Sequence, residues 1–398
     1  VHLASTEDSG GGFILRLFAF LAVFVTLYGL LHFYAFIKIR GAFDLSRGVS
    51  IPLACLLLFM VFSPVIVRVL ERFGLETSAW VLAHMGYIWM GVLFLFVCTS
   101  FLIDLYHLSC TAGAWLLGRN LDRWFLTSRS AFLIAAAAST LAAIYGGFEA
   151  ANIRTEQITI RSPKIPKELG RFRIVQISDL HLGQIVGEER LEKILTKVRE
   201  ARPDILVSTG DLLDAQTDNI SKVADMIRAV STPYGKFAVT GNHEFYAGLE
   251  RSLAFMEDAG FNVLRGDIKD IRGVILVAGV DDEAANQFGL PRTKSEAQLL
   301  SHLPADRFVL LLKHRPLLDR ASNRHFDLQL SGHTHGGQIF PFTLLIKMLY
   351  PVDAGLLKLQ DGAFLYVSRG SGTWGPPIRF LNPPEITVID LVHEKNEG

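Results

Sequence analysis

Four apolar runs fill most of the first 150 residues: Leu17 to Ile37, Val49 to Val67, Thr77 to Ile103 and Ser130 to Phe148, each free of Asp, Glu, Lys and Arg. A helix of roughly 20 apolar residues is long enough to cross the hydrocarbon of a bilayer. There every backbone N–H and C=O must be paired within the segment. One such run is compatible with a buried core helix; four in succession are not. Residues 1–150 therefore read as an all-α transmembrane region of about four helices, multi-pass in the plasma or inner membrane. A polar "STEDSGGG" stretch, not a basic one, precedes the first run, so that run does not read as a cleaved signal peptide. "LYHLSCTAGAWLLG" (Leu105 to Gly118) is too short to span and reads as an interfacial helix or an extension of the third span. His32 and His84 lie inside spans without an evident proton-relay partner, which favours packing over transport.

Charge narrows the partners. Lys+Arg and Asp+Glu both number 39, and neither half carries the basic excess that nucleic acid demands. Cys55, Cys98 and Cys110 all fall in the apolar half with no CxxC spacing, which argues against a disulfide framework or a thiolate zinc site. For orientation, the first and third loops hold Lys38, Arg40, Arg47, Arg119, Arg123 and Arg129, against Arg16, Arg68 and Arg72 on the other side. By the positive-inside rule the C-terminal domain then lies outside the cytoplasm. Arg154, Arg161, Lys164, Lys167, Arg171 and Arg173 pull the other way, although long domains translocate largely regardless of charge.

Beyond Ala150 the pattern changes. Short β-branched runs ("FRIVQIS", "DILVSTG", "KFAVTGN", "VILVAGV", "FVLLLKH", "FDLQLSG") alternate with helical ones such as "RLEKILTKVREA" and "SKVADMIRAV". Continuous apolar runs bounded by Gly, Asp and Pro suit strands buried on both faces, with helices outside. Residues 151–398 thus read as an α/β sandwich. The polar residues are placed regularly. Asp179 and His181, Asp211, Asn242 and His243, His314, and His333 and His335 each sit just past the C-terminal end of an expected strand. In open α/β sheets that is where ligands bind.

This set offers oxygen and imidazole donors without thiolate, a mixture that suits Mn, Fe or Zn better than Ca or Mg. It holds too many ligands for one ion. A shared carboxylate could join two divalent ions, lower the pKa of a bridging water and clamp both oxygens of an in-line displacement at phosphorus.

The motifs "SDLHLG", "TGDLLD", "TGNHEF", "KHRP" and "SGHTHGG", in this order, resemble those of the calcineurin-like metallophosphoesterases. The resemblance runs from Arg171 to Leu391. The ending, "GGQIFPF" and "YVSRGSGTWGPPIRFLNPPEIT", resembles the membrane-associated branch typified by the transmembrane protein with metallophosphoesterase domain. The resemblance implies a four-layer sandwich, two sheets flanked by helices. It also implies a metal-dependent phosphoesterase in which Asp179, His181, Asp211 and His335 hold one divalent ion. Asp211, Asn242, His314 and His333 hold a second, with Asp211 bridging. His243 would protonate the leaving oxygen or stabilise charge developing at phosphorus. Lys313 stands where the family usually has Gly, which leaves the ligand set intact. Some members of that branch, and related lipid A enzymes, cleave UDP-2,3-diacylglucosamine at its pyrophosphate. A phosphodiester or pyrophosphate of a lipid or lipid precursor of that type is therefore the more specific expectation.

Fainter signals complete the reading. Asp214 and Glu244 are near the metal motifs and suit hydrogen bonding to ligands or ordinary loop polarity. Arg369 and Arg315 are candidate substrate-binding cations. "IFPFTLLIKMLYP" (Ile339 to Pro351) is either a core helix or a segment that dips into the bilayer interface or guides acyl chains. Two other functions compete: a catalytically silent scaffold of the same fold at the membrane, and a channel or transporter with a regulatory domain. Retention of every ligand and of His243 weighs against the first. The lack of paired polar residues in the spans weighs against the second.

Overall fold

The apolar runs of the first half become helices and the β-branched runs of the second half become strands in a computed structural model. It describes residues 9–214, 220–290, 293–319, 321, 325–350 and 352–394. The chain divides into two units. One runs to Phe148 and includes Gly375–Ile378; the other comprises Glu149–Trp374 and the residues from Arg379 onward.

In the first half, α1 (Ser9–Phe43), α2 (Arg47–Arg72), α3 (Glu76–Leu117) and α4 (Ser128–Ala151) are each long and apolar enough to cross a membrane. Large side chains such as Leu30, Phe33, Leu58 and Leu102 are exposed, as lipid-facing positions are. The "LYHLSCTAGAWLLG" piece extends the third span: α3 has 42 residues, about 63 Å at 1.5 Å per residue. Asp104, between the third span and this extension, accepts from Tyr34 Oη at 2.6 Å and pairs with Lys38 of α1. His32 Nδ1 lies 2.8 Å from the Tyr28 carbonyl, and its Nε2 is 2.9 Å from Trp89 Nε1. The first contact lies within α1 and the second joins α1 to α3. His84 Nδ1 lies 2.9 Å from the Trp80 carbonyl, within its own helix.

The second unit contains two six-stranded mixed sheets. Its strands are β1 (Arg154–Ser162), β2 (Phe172–Ile177), β3 (Ile205–Ser208), β4 (Lys236–Ala238), β5 (Asn262–Val263), β6 (Asp267–Ile271), β7 (Ile275–Gly279), β8 (Phe308–Leu312), β9 (Leu328–Ser331), β10 (Gly355–Lys358), β11 (Phe364–Val367) and β12 (Glu385–His393). One sheet has the order β1-β12-β2-β3-β4-β5, the other β10-β11-β9-β8-β7-β6. Helices α5 (Glu188–Ala201), α6 (Ile220–Arg228), α7 (Asn242–Tyr246), α8 (Leu249–Asp258), α9 (Ala284–Gln287), α10 (Glu296–Leu300) and α11 (Phe342–Leu349) complete it.

Side chains alternate between faces along a strand, and that alternation builds the layers. Phe172 and Ile174 of β2, Ile205 and Val207 of β3, and Phe308, Leu310 and Leu312 of β8 share one core between the sheets. Val175, Ile177 and Leu206 turn outward onto Leu191, Ile194 and Val198 of α5, Ile227 of α6 and Met256 of α8. Val309 and Leu311 turn outward on the other side, onto Leu299 and Leu300 of α10. The result is two mixed sheets flanked by helices. Strands β2, β3 and β4 are parallel in one sheet, as are β7, β8, β9 and β11 in the other. The loops that leave their C-terminal ends carry the polar motifs.

Candidate metal centre

Each motif loop turns sharply as its strand ends. Of the ten described non-glycine residues with positive φ, five are Asp179, His181, Asp211, His333 and His335. This sparsely populated backbone region costs free energy and persists where surrounding structure over-determines it, characteristically at functional sites. The surrounding structure is visible here. Glu244 is fully buried, and its carboxylate accepts N–H bonds from Gly241 (2.7 Å), Asp211 (2.9 Å), Leu212 (2.7 Å) and Leu213 (3.3 Å). It thereby ties the start of α7 to the Asp211 loop. Burial and the neighbouring Asp211 charge push the Glu244 pKa up, and the four N–H donors oppose that push. Glycine is required where loops touch: a Cβ at Gly332 would overlap Ser178 Oγ and Asp179 Oδ2, and one at Gly241 would overlap Asp211 Oδ1.

Five loops bring all seven expected ligands together. His181 Nε2 lies 3.0 Å from His335 Nε2 and 3.7 Å from Asp211 Oδ2, and His335 Nε2 is 3.6 Å from Asp179 Oδ1. On the other side, His314 Nε2 is 3.2 Å from Asp211 Oδ2, 3.2 Å from Asn242 Oδ1 and 3.1 Å from His333 Nδ1. Asp211 Oδ2 therefore faces both groups. Ligands held about 2.0–2.2 Å from a common cation are separated by distances of this order. The donor set fits divalent ions, with Asp179, His181 and His335 on one side and Asp211, His314 and His333 on the other.

The protonation pattern agrees. The Thr209 carbonyl, 2.8 Å from His314 Nδ1, takes that N–H and leaves Nε2 facing the other ligands, the arrangement that orients a metal-binding imidazole. Burial alone would lower the His314 pKa, but Asp211 and Asp179 raise it to about 10. So much negative charge is a site a cation would share. Burial, with the His314 charge nearby, pushes His333 down to about 3. Burial and the Arg379 guanidinium, 3.1 Å from Nδ1, hold His335 well below the ordinary imidazole range. Asp211 is held well below the usual carboxylate value, because His314 and His243 outweigh its burial.

His243 borders the ligand cluster, near enough to His181 and Asp211 that these three side chains form a further group able to hold an ion. Its N–H donates to Asp211 Oδ1 at 2.9 Å, and its Nδ1 is 2.9 Å from Asp214 Oδ1. Burial would lower its pKa, but Asp211 and Asp214 reverse the sign and raise it. Asp214, one of the fainter sequence signals, thus faces His243, and it also lies 3.6 Å from His181 Nδ1.

The two arginines expected to contact substrate each sit in an ion pair. Arg369 pairs with Glu385 and Glu156, and Arg315 makes a two-point pair with Asp282 at 2.8 and 3.1 Å. Lys313, the departure from the usual motif, donates to Glu296 at 2.7 Å and to the Leu317 carbonyl at 2.8 Å. Sequence reasoning missed Arg379 and Asn382. Arg379 is completely buried; its Nη1 donates to the His335 carbonyl at 3.0 Å and its Nη2 to the Gly372 carbonyl at 2.6 Å. Asn382 Nδ2 donates to the same His335 carbonyl. Both residues bond the carbonyl of the left-handed His335, and both lie in "PPIRFLNPPEIT". Helix α11 follows the His335 turn and buries only Ile346, leaving Phe342, Leu344, Leu345, Met348 and Leu349 exposed.

A family model described as calcineurin-like phosphoesterase matches residues 172–337. A protein of Aquifex aeolicus named an uncharacterized metallophosphoesterase is 38% identical over 260 residues, covering 65% of this chain and 99% of the relative. Another so named, from Campylobacter jejuni, is 34% identical over 284 residues, 70% of this chain and 75% of its own. The transmembrane protein with metallophosphoesterase domain of Danio rerio is 31% identical over 261 residues, 63% of this chain and 60% of its own.

Proposed function

Since this chain belongs to the calcineurin-like phosphoesterase family, a group of metal-dependent phosphoesterases, we propose that it is a membrane-anchored hydrolase of a phosphodiester or pyrophosphate in a lipid or lipid precursor. It would use two divalent ions, with Mn, Fe or Zn the candidates. The observation that carries the catalytic part is Asp211 Oδ2 within 3.7 Å of His181 Nε2 and 3.2 Å of His314 Nε2, with His243 alongside. Asp179, His181, Asp211 and His335 would hold one ion; Asp211, Asn242, His314 and His333 the other. Bound there, the ions would neutralise phosphate charge and make water acidic enough to attack at neutral pH. As the P–O bond breaks, the leaving oxygen takes a proton from His243, whose charged form Asp214 and Asp211 favour. Asp214 holds that imidazole in orientation; Glu244, Arg379 and Asn382 hold the ligand loops.

The lipid part is supported by the four apolar helices and by α11, which exposes Leu344, Leu345, Met348 and Leu349 immediately after the ligand turn. An apolar surface of this kind suits the bilayer interface or acyl chains. A UDP-2,3-diacylglucosamine-type substrate is the most specific version of this reading. The plasma or inner membrane is the proposed location; the loop charges favour the extracytoplasmic side for the catalytic unit, whereas a nucleotide-linked lipid precursor requires the cytoplasmic side, and a reporter fused to the C-terminus decides between them.

The test of catalysis uses the purified full chain with bis-p-nitrophenyl phosphate and Mn²⁺, Zn²⁺ or Fe²⁺, beside Asp211→Ala and His243→Ala. Removing a positioned acid costs about 10²- to 10⁴-fold, and Asp211→Ala should also reduce bound metal by elemental analysis. Absence of hydrolysis with every metal would favour the silent scaffold. Leu344→Asp with Leu345→Asp should reduce hydrolysis of a vesicle-borne lipid pyrophosphate and spare the soluble ester. Equal loss on both would remove the lipid reading.

A further inference from the structure

Trp374 is the single tryptophan beyond residue 150, and 52% of its surface is exposed. Its ring centroid lies 5.8 Å from that of His243, with the planes at 78°. Tyr246, 54% exposed, stands 5.5 Å from the same imidazole at 69°. It follows His243 by three residues on α7, so the two share a helix face. A buried histidine is thus flanked by two half-exposed aromatic rings, each nearly perpendicular to it.

The position of Trp374 is built, not incidental. Gln338 Nε2 donates to the Trp374 carbonyl and the Trp374 N–H donates to Gln338 Oε1, both at 2.9 Å. Gln338 itself is buried and adopts a left-handed φ of 52°. Just before Trp374, the Ser371 N–H donates to the Ser178 carbonyl at 2.8 Å and the Gly372 N–H to the Asp179 carbonyl at 3.1 Å. A Cβ at Gly372 would overlap the Leu180 carbonyl. The segment bearing Trp374 is therefore stitched to the Asp179 loop at one end and to the turn after His335 at the other. A tryptophan needed only for packing would be turned inward; this one keeps about half of its surface exposed.

We propose that Trp374 and Tyr246 form an aromatic clamp that receives a flat ring on the leaving side of the phosphoester, next to His243. The clamp makes these two residues determinants of specificity, favouring a leaving group with an aromatic or heteroaromatic ring over an alkyl or alicyclic one. The inference rests on the phosphoesterase reading and on the place of His243 in it. Stacking of a flat ring on an aromatic side chain is worth about 1–3 kcal/mol, or roughly 5- to 150-fold in affinity.

The experiment is calorimetric titration of the full-length protein in detergent with Mn²⁺, using phenylphosphonate, cyclohexylphosphonate and methylphosphonate, for wild type, Trp374→Ala, Trp374→Phe and Tyr246→Ala. Phenylphosphonate should bind wild type about tenfold more tightly than methylphosphonate, within the range for one stacked ring, and more tightly than the cyclohexyl compound. The phenyl-to-methyl ratio should fall towards one in Trp374→Ala, fall partly in Tyr246→Ala, and be largely kept in Trp374→Phe. A wild-type ratio near one, a ratio unchanged in both alanine variants, or cyclohexyl binding equal to phenyl would overturn the clamp. If the wild type hydrolyses bis-p-nitrophenyl phosphate but binds none of the phosphonates, the clamp alone fails. If it neither hydrolyses nor binds, the phosphoesterase reading fails and the clamp with it.

Discussion

Replacing Glu244 by Gln tests how the Asp211 loop is held. The two carboxylate oxygens divide four buried N–H donors between them: Gly241 and Asp211 on Oε2, Leu212 and Leu213 on Oε1. A glutamine presents one carbonyl and one NH2, so whichever way it turns, one pair of N–H groups meets a donor instead of an acceptor. At about 1.5 kcal/mol for each lost charge-assisted bond, the smallest expected cost is about 3 kcal/mol. Expressed as global stability, that is about 6–12 °C of melting temperature for a unit of this size. Expressed instead as misplacement of Asp211 in the folded protein, it is roughly 150-fold in metal affinity. The assay reads both: thermal unfolding of the full-length protein by circular dichroism, and Mn²⁺ titration. A Glu244→Gln protein with wild-type melting and wild-type Mn²⁺ affinity would refute the claim that this carboxylate holds Asp211 in its left-handed conformation.

Asp214→Asn removes the carboxylate 2.9 Å from His243 Nδ1. Loss of such an orienting partner costs about 10- to 100-fold in activity. The carboxylate raises the His243 pKa, so its removal lowers that pKa, and the protonated acid is lost at a lower pH as pH rises. The alkaline limb of the pH–kcat profile should therefore move down; an unmoved limb would remove His243 as the proton donor. Arg369→Ala leaves the buried Glu385 carboxylate without its guanidinium partner, a change that costs about 3–5 kcal/mol. The expected result is a lower melting temperature with unchanged KM for the soluble ester; raised KM at unchanged melting would show instead that Arg369 contacts substrate.

How far the sequence reveals this architecture depends on which force decides each element. Strands buried on both faces read as near-continuous apolar runs, so "FRIVQI" and "FVLLL" are recognisable without neighbours. The seven candidate ligands were legible because each follows such a strand directly, and the geometry of parallel strands carries all those loops to one rim. Helix α11 shows the limit. Its apolar face has the same periodicity whether it packs in a core or faces solvent or lipid, and only tertiary packing decides that Ile346 alone is buried.

The arginines make the same point more sharply. Arg369 and Arg379 lie ten residues apart in one glycine- and proline-rich stretch, and nothing local distinguishes them. Arg369 leaves β11 beside Glu385 of β12 and Glu156 of β1, so strand pairing supplies its carboxylates. Arg379 instead turns wholly inward, where the carbonyls of His335, Arg369 and Gly372 accept its N–H groups. Burying that charge is unfavourable, and desolvation lowers its pKa to about 9. It is compensated by these three hydrogen bonds, one of them to the carbonyl of His335, whose φ is positive. The left-handed His335 and the buried arginine therefore support each other. Neither half of that mutual support is local, and for that reason the sequence motif marks His335 as a candidate ligand without marking the residue that holds it there.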